Sequence, residues 1–257
     1  MLELSYYKDN LKVEIFSVTS EMGVAAADYV AGKLQEAIEV RGVANLILGT
    51  GASQYPLHDE LLKKDIAWKK INLFHLDEYI GICKSHPASF RRFLRERVAD
   101  KVFPKSVFYI DGDTADTVSE IRRYEALLRS NPVDVACIGI GENGHIAFND
   151  PGIADFDDPE LLKVVELDDA CRRQQVGEGW FPTINDVPDK AITLTVSAIM
   201  NCRSICCTVP DSRKSDAVFK TLTGKISDEC PASVLRRHED AVLFLDRFAA
   251  ARLSYNH

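Results

Sequence analysis

The sequence predicts an α/β fold: a mainly parallel sheet flanked by helices in three layers. Three observations predict it. Short β-branched runs alternate with longer stretches of helical spacing along the whole 257 residues. Several strands are unbroken apolar runs, "ANLILGT" (44–50), "SICCTV" (204–209) and "AVLFLD" (241–246) among them, as strands buried on both faces are. Glycines and charged residues then gather just beyond the carboxyl ends of these strands, where open α/β sheets bind ligands. No repeat, low-complexity tract or Pro/Ser linker interrupts the alternation, so one domain over 1–257 is expected.

Taken in order, "KVEIFSV" (12–18) reads as the first strand, followed by a helix over 20–40 with Ser20 as its N-cap. The strand "ANLILGT" leads to the amphipathic helix 53–64, and "KINLFHLDEYIG" (70–81) is a strand running into a loop. Residues 87–102 form a helix, "SVFYI" (106–110) a strand, and 114–130 another helix. The strand "VDVACIGI" (133–140) opens an irregular stretch, after which 161–167, 191–199 and 204–209 read as strands. The helix 211–224 ends at Gly224 as its C′ residue. "AVLFLD" then leads into a short terminal helix.

Composition narrows the function. A formal net charge of −8, with no basic stripe, argues against a nucleic-acid partner. No apolar run is long enough to span a bilayer, and the N-terminus lacks the basic and apolar regions of a signal peptide, so a soluble cytoplasmic protein is expected. The seven cysteines are odd in number, scattered and without metal-ligand spacing, and read as buried thiols in a reducing compartment. His58, His75, His86, His238 and His257 are dispersed, so no metal site is expected.

The stretch "GIGENGHIAFNDPG" (139–152) contains a G-x-G-x-x-G run straight after a strand, the dinucleotide-binding pattern. That pattern needs its third glycine to open a helix, and Pro151, Gly152 and Pro159 prevent a long helix here. A catalytic loop is the simpler reading. It presents His145 next to a carboxylate, Asp150, a pair suited to moving protons near neutral pH, although a histidine satisfied by backbone would look the same. "GTGAS" (49–53) is a second glycine turn. Its amides, with the hydroxyls of Thr50 and Ser53, can cradle a phosphate, or the turn can serve only to start a helix. "HLDEY" (75–79) sets Asp77 and Glu78 beyond a buried strand, one able to face a cleft and the other a structural partner. Lys214, in the first turn of a helix, is placed against the helix dipole and suits a phosphate ligand, although an ordinary surface lysine would look the same.

"NLFHLDEYIGICKSHPASF", "GIGENGHIAFNDPG", "VPDKAITLTVSAI" and "ISDECPASVL" together resemble the glucosamine-6-phosphate deaminase (isomerase) family, in that family's order from about residue 45 onward. The related 6-phosphogluconolactonases share the fold but usually read D-E-R where this chain has D-E-Y. The resemblance implies a three-layer, Rossmann-like α/β fold and conversion of a 2-amino-2-deoxyhexose 6-phosphate to the ketose 6-phosphate and ammonia, with no cofactor. It implies that Asp77 is the base at C2, that His145 opens the sugar ring, that Asp150 orients and tunes His145, and that Asn143 belongs to the catalytic set, its amide holding the loop by hydrogen bonding. It further implies that Thr50, Gly51, Ser53 and Lys214 hold the phosphate, with Glu78 and Gly144 in the substrate site.

Asn143 stands where the family often has Asp, Asp150 where Glu is typical, and Gly179 where an arginine is usual, a contact that Arg172 or Arg173 could replace. Galactosamine 6-phosphate is the rival substrate. A 6-phosphogluconolactonase-type hydrolase and a non-catalytic sugar-phosphate binder are the alternative functions. The partner implied is a small sugar phosphate, and both a monomer and a homo-oligomer fit the family.

Overall fold

The computed structural model describes residues 1–167, 169–177 and 179–253. Two sheets are present among them. The larger has the order β1-β2-β11-β10-β7-β3-β4-β6, with β1 Leu2–Lys8, β2 Leu11–Phe16, β3 Ala44–Leu48, β4 Ile71–His75, β6 Ser106–Val107, β7 Val135–Ile138, β10 Ser204–Val209 and β11 Ala241–Asp246. All its pairings are parallel except β1 with β2. The smaller sheet is antiparallel, β5 Asp77–Tyr79, β9 Lys190–Leu194 and β8 Leu162–Glu166 in the order β5-β9-β8.

The apolar runs behave as expected. Every residue of β3, β7, β10 and β11 is buried, and alternate side chains enter opposite cores. Leu46, Leu48, Cys137, Cys206 and Phe244 pack on one face, and Ile47, Ile138, Cys207 and Leu243 on the other. That alternation, with helices over both faces, makes the three layers. Helix α1, Thr19–Arg41, covers the first face through Met22, Ala26, Val30, Leu34 and Ala37, a stripe at helical spacing. Its small residues permit a close approach, and a Cβ on Gly23 would stand 2.6 Å from the Pro56 carbonyl oxygen of α2, Tyr55–Leu61. The helix stops at Gly42, left-handed at φ 76°, whose N–H bonds Ile38 O.

Several local expectations are corrected. Val18, not Ser20, is the N-cap of α1, and no side chain caps it. The segment 70–81 divides between the two sheets, because after Leu76 the chain leaves β4 and pairs with β9 instead. The segment 87–102 is α3 Phe90–Leu94, a π turn and α4 Asp100–Val102. After it, α5 Thr117–Ser130 lies close to expectation, and an unforeseen helix, α6 Asp169–Gly177, follows β8. The apolar run 191–199 breaks at Thr195, whose hydroxyl accepts Ala198 N–H and starts α7, Val196–Met200. Helix α8, Ser215–Thr223, is preceded by a 3₁₀ turn, and Gly224 has φ −74°, outside the left-handed region. Glycine is needed there for clearance, since a Cβ would lie 2.7 Å from Lys220 O. Turns, not a helix, follow β11 in the described residues. Cys83 is exposed, whereas the remaining cysteines are buried thiols.

Candidate active site

The strand order reverses between β3 and β7. From β3 the chain extends outward through β4 to β6, and on the other side of β7 lie β10 and β11. Loops leaving neighbouring strands at such a point part in opposite directions and open a crevice. Here it is a cleft of about 430 Å³, lined by Gly49, Thr50, Gly51, Ala52 and Ser53 after β3, and by Gly139, Ile140, Gly141 and His145 after β7. Leu76 and Asp77 contribute from the β4–β5 junction, and Pro210, Asp211, Arg213 and Lys214 from the end of β10. Tyr55, Phe90, Phe93, Phe148 and Trp180 add an aromatic wall.

Asp77 occupies the step between the two sheets, and its backbone is held there by His75. The His75 Nε2 accepts Ile110 N–H at 2.8 Å, so Nδ1 carries the proton and donates to the Asp77 carbonyl, also at 2.8 Å. Burial pushes the His75 pKa down to about 3, leaving a neutral structural imidazole. The Asp77 side chain is 7% exposed and lines the cleft. Among the described residues no donor bonds its carboxylate. Burial, and secondarily the charge of Glu78, pushes its pKa up to about 8.

Glu78 points the other way. It is fully buried, and its carboxylate accepts Ser89 Oγ at 2.7 Å, the N–H groups of Tyr79, Phe90 and Arg91, and Arg91 Nε. Burial still pushes its carboxyl above the usual range against these donors. Glu78 therefore anchors the segment that carries Phe90, and it is not among the residues that line the cleft.

His145 faces the cleft from the glycine loop. Its Nδ1 stands 3.1 Å from Asp150 Oδ1. Asn143 joins the two, accepting His145 N–H on Oδ1 (3.1 Å) and donating Nδ2 to Asp150 Oδ1 (2.8 Å). Burial pushes the Asp150 pKa up, but the contact with His145 and the Asn143 bond outweigh it and hold the carboxyl below its ordinary value. Neither Asn143 nor Asp150 lines the cleft; both lie behind the imidazole. The ring rests on Gly141, where a Cβ would come within 2.2 Å of it. Gly144 adopts φ 92° and is also set back from the cleft. Its carbonyl accepts Ala232 N–H at 2.9 Å, which ties the loop to the "DECPASVL" segment.

The expected phosphate residues converge. Thr50, Gly51 and Ser53 share the cleft with Lys214, which is 6% exposed. Gly51 is left-handed at φ 92°, and Gly49 lies so close to β7 that a Cβ would be 2.8 Å from Cys137 O. Arg172 does not join them. Its guanidinium donates to the carbonyls of Ile184 and Val187 and pairs with Asp189 at 3.2 Å, so it braces the segment after α6. Gly179, left-handed at φ 81°, contributes no cation.

Sequence reasoning missed Arg213, Trp180 and Gln54. A second basic residue beside Lys214 was the available signal for Arg213. Gln54 Nε2 bonds Ile138 O at 3.2 Å and Thr208 Oγ1 at 3.0 Å, joining the phosphate loop to β7 and β10, and nothing in its local pattern announces that. No group of His, Cys, Asp and Glu suited to a metal occurs among the described residues, and His257 lies outside them.

Comparison with known proteins adds an independent line. The family model for glucosamine-6-phosphate isomerases/6-phosphogluconolactonase matches residues 18–244. A glucosamine-6-phosphate deaminase of Exiguobacterium sibiricum is 37% identical over 207 residues, 80% of each chain. One from Listeria monocytogenes is 34% identical over 236 residues, 92% of this chain and 99% of the relative. A solved monomeric glucosamine-6-phosphate deaminase superposes with a TM-score of 0.84 at 31% identity, covering 93% of this chain and 98% of the other. A 6-phosphogluconolactonase of Shewanella baltica shares the fold, with a TM-score of 0.75 at 21% identity over 96% and 99% of the two chains.

Proposed function

This chain belongs to the glucosamine-6-phosphate isomerase/6-phosphogluconolactonase family of enzymes, and from that premise we propose that it isomerises and deaminates a hexosamine 6-phosphate. The observation that carries the reading is the Asp77 carboxylate, which is buried, meets no donor among the described residues and lines the cleft that also holds His145. A hydrolase needs no such group once His145 has a water to activate, whereas an aldose–ketose isomerase needs a base at C2.

In the proposed reaction the sugar phosphate enters with its phosphate on the loop 50–53 and Lys214, which fixes the distant C1 and C2 carbons. His145, oriented by Asp150 and Asn143, relays the C1 hydroxyl proton to the ring oxygen as the bond between C1 and that oxygen breaks and C1 becomes a carbonyl. Asp77 takes the C2 proton, the C–H electrons form the C1–C2 double bond, and a proton passes from the C2 ammonium to the C1 oxygen, which leaves a neutral amine on C2. The resulting enolamine takes the proton back at C1 and leaves an iminium at C2. Water adds at C2, and cleavage of the C–N bond releases ammonia and the ketose 6-phosphate.

The amino group also suits the base. With its pKa pushed up to about 8, Asp77 is mostly protonated at pH 7. A substrate ammonium at C2 would bring an opposite charge near the carboxylate and favour the ionised form when the base is needed. A neutral lactone offers no such charge.

The test is a parallel assay with glucosamine 6-phosphate, galactosamine 6-phosphate and 6-phosphogluconolactone. Ammonia with a ketose 6-phosphate from either amino sugar supports the reading and selects the epimer. Acid release from the lactone alone moves the chain to the hydrolases, and phosphate-dependent thermal stabilisation without turnover makes it a binder.

A further inference from the structure

We propose that Arg213 and Lys214 form a two-cation clamp for the substrate phosphate, and that Glu142 is its internal counter-ion. The clamp rests on the sugar-phosphate reading above. Among the described residues that line the cleft, these two are the arginine and the lysine. They are adjacent in sequence but differ in setting, with side chains 55% and 8% exposed respectively. Lys214 sits at depth as a point charge, and Arg213 stands nearer the mouth with a planar fork that matches phosphate oxygens.

The fork is oriented. Asp211 adopts φ 85° and its backbone N–H donates to the Asp246 carboxylate, which fixes the turn. Asp211 Oδ2 then takes Arg213 Nε at 3.0 Å and Nη2 at 2.9 Å. With one edge of the guanidinium held in this way, its Nη1 is directed toward Glu142, 3.8 Å from Oε1. The same oxygen lies 3.9 Å from Lys214 Nζ. One carboxylate oxygen thus approaches both cations beyond hydrogen-bond length, a loose charge contact that a dianion able to bond both directly would outcompete. Glu142 belongs to the loop that carries Gly141, Asn143 and His145.

The roles make opposite predictions for two substitutions. Arg213→Gln removes a ligand and should weaken inorganic phosphate binding and raise the KM for the sugar phosphate about tenfold, with a smaller fall in kcat. Arg213→Lys should recover part of the loss. Glu142→Gln removes a competitor and should tighten phosphate binding about 2–5-fold. Titration calorimetry with inorganic phosphate reads binding without turnover, and thermal melting confirms that each variant folds.

Tenfold weakening in Arg213→Gln with tightening in Glu142→Gln supports the clamp. Phosphate affinities within twofold of the parent in both variants, or weakening in Glu142→Gln, overturn it. If no amino sugar is turned over yet phosphate binding follows this pattern, the reaction assigned above fails and the clamp stands.

Discussion

The Nδ1 atom of His145 lies 3.1 Å from Asp150 Oδ1, at the back of the imidazole and away from the cleft that His145 lines. A carboxylate in that place selects one ring orientation and favours the proton on Nδ1. Asp150→Asn keeps the shape and removes the charge. We expect kcat to fall about 100-fold with little change in KM, since a proton-transferring group loses its alignment while the phosphate residues are untouched. Equal kcat in the variant would dismiss the pairing as decoration.

Asn143→Asp tests the neighbouring bond. Asn143 donates to Asp150 Oδ1 at 2.8 Å, so the substitution replaces a donor with a second carboxylate against the same oxygen. Like charges at that range disfavour joint ionisation. The melting temperature at pH 7 should drop by about 2–6 °C, and the difference should narrow as pH falls and one of the two carboxyls takes a proton. A variant as stable as the parent at pH 7 would mean that the contact rearranges without cost.

The raised pKa of Asp77, about 8, has a definite sign for stability. An unfolded aspartate titrates near its ordinary value of 3.8, so between there and 8 the folded protein binds the extra proton. The Asp77 contribution is therefore intact below pH 4, is lost progressively as pH rises toward 8, and is constant above. Asp77→Asn, which cannot ionise, should gain melting temperature over the parent as pH increases from about 5 to about 8. The same variant should lose isomerisation altogether. In the parent, kcat/KM should climb with an inflection near the free-enzyme value of about 8.

Gly141→Ala separates site from fold. The added Cβ would stand 2.2–2.4 Å from the His145 ring atoms, and a side chain at the cleft can swing aside where backbone could not. The protein should fold and melt within a few degrees of the parent, while kcat falls at least about tenfold because the imidazole is displaced. Unchanged kcat would show that the ring position seen here is not the working one.

Much of this was legible in the chain because it is encoded locally. The all-apolar runs of β3, β7, β10 and β11 announce strands buried on both faces. The glycines and charged residues at their carboxyl ends mark the side on which the cleft opens. Thr50, Gly51, Ser53, Asp77, His145 and Lys214 do meet in one cleft. Local pattern could not show that "KINLFHLDEYIG" splits at Leu76, because the same extended backbone satisfies its hydrogen bonds in either sheet, and only the presence of β9 draws Asp77 away.

The same limit applies to the charged residues. Glu78 and Asp77 are neighbours of one type, and strand alternation sends one into a cage of Ser89 and Arg91 donors and leaves the other in the cleft with no donor among the described residues. Arg172 and Arg213 look equally suited to a phosphate in sequence. The carbonyls of Ile184 and Val187 hold the first away, and Asp211 aligns the second along the cleft. The sequence by itself determined the layered fold and the residue types available at the strand ends. Which side chains are desolvated, paired or turned toward substrate was decided by the tertiary structure, because charge and hydrogen bonding depend on groups that are distant in the chain and close in space.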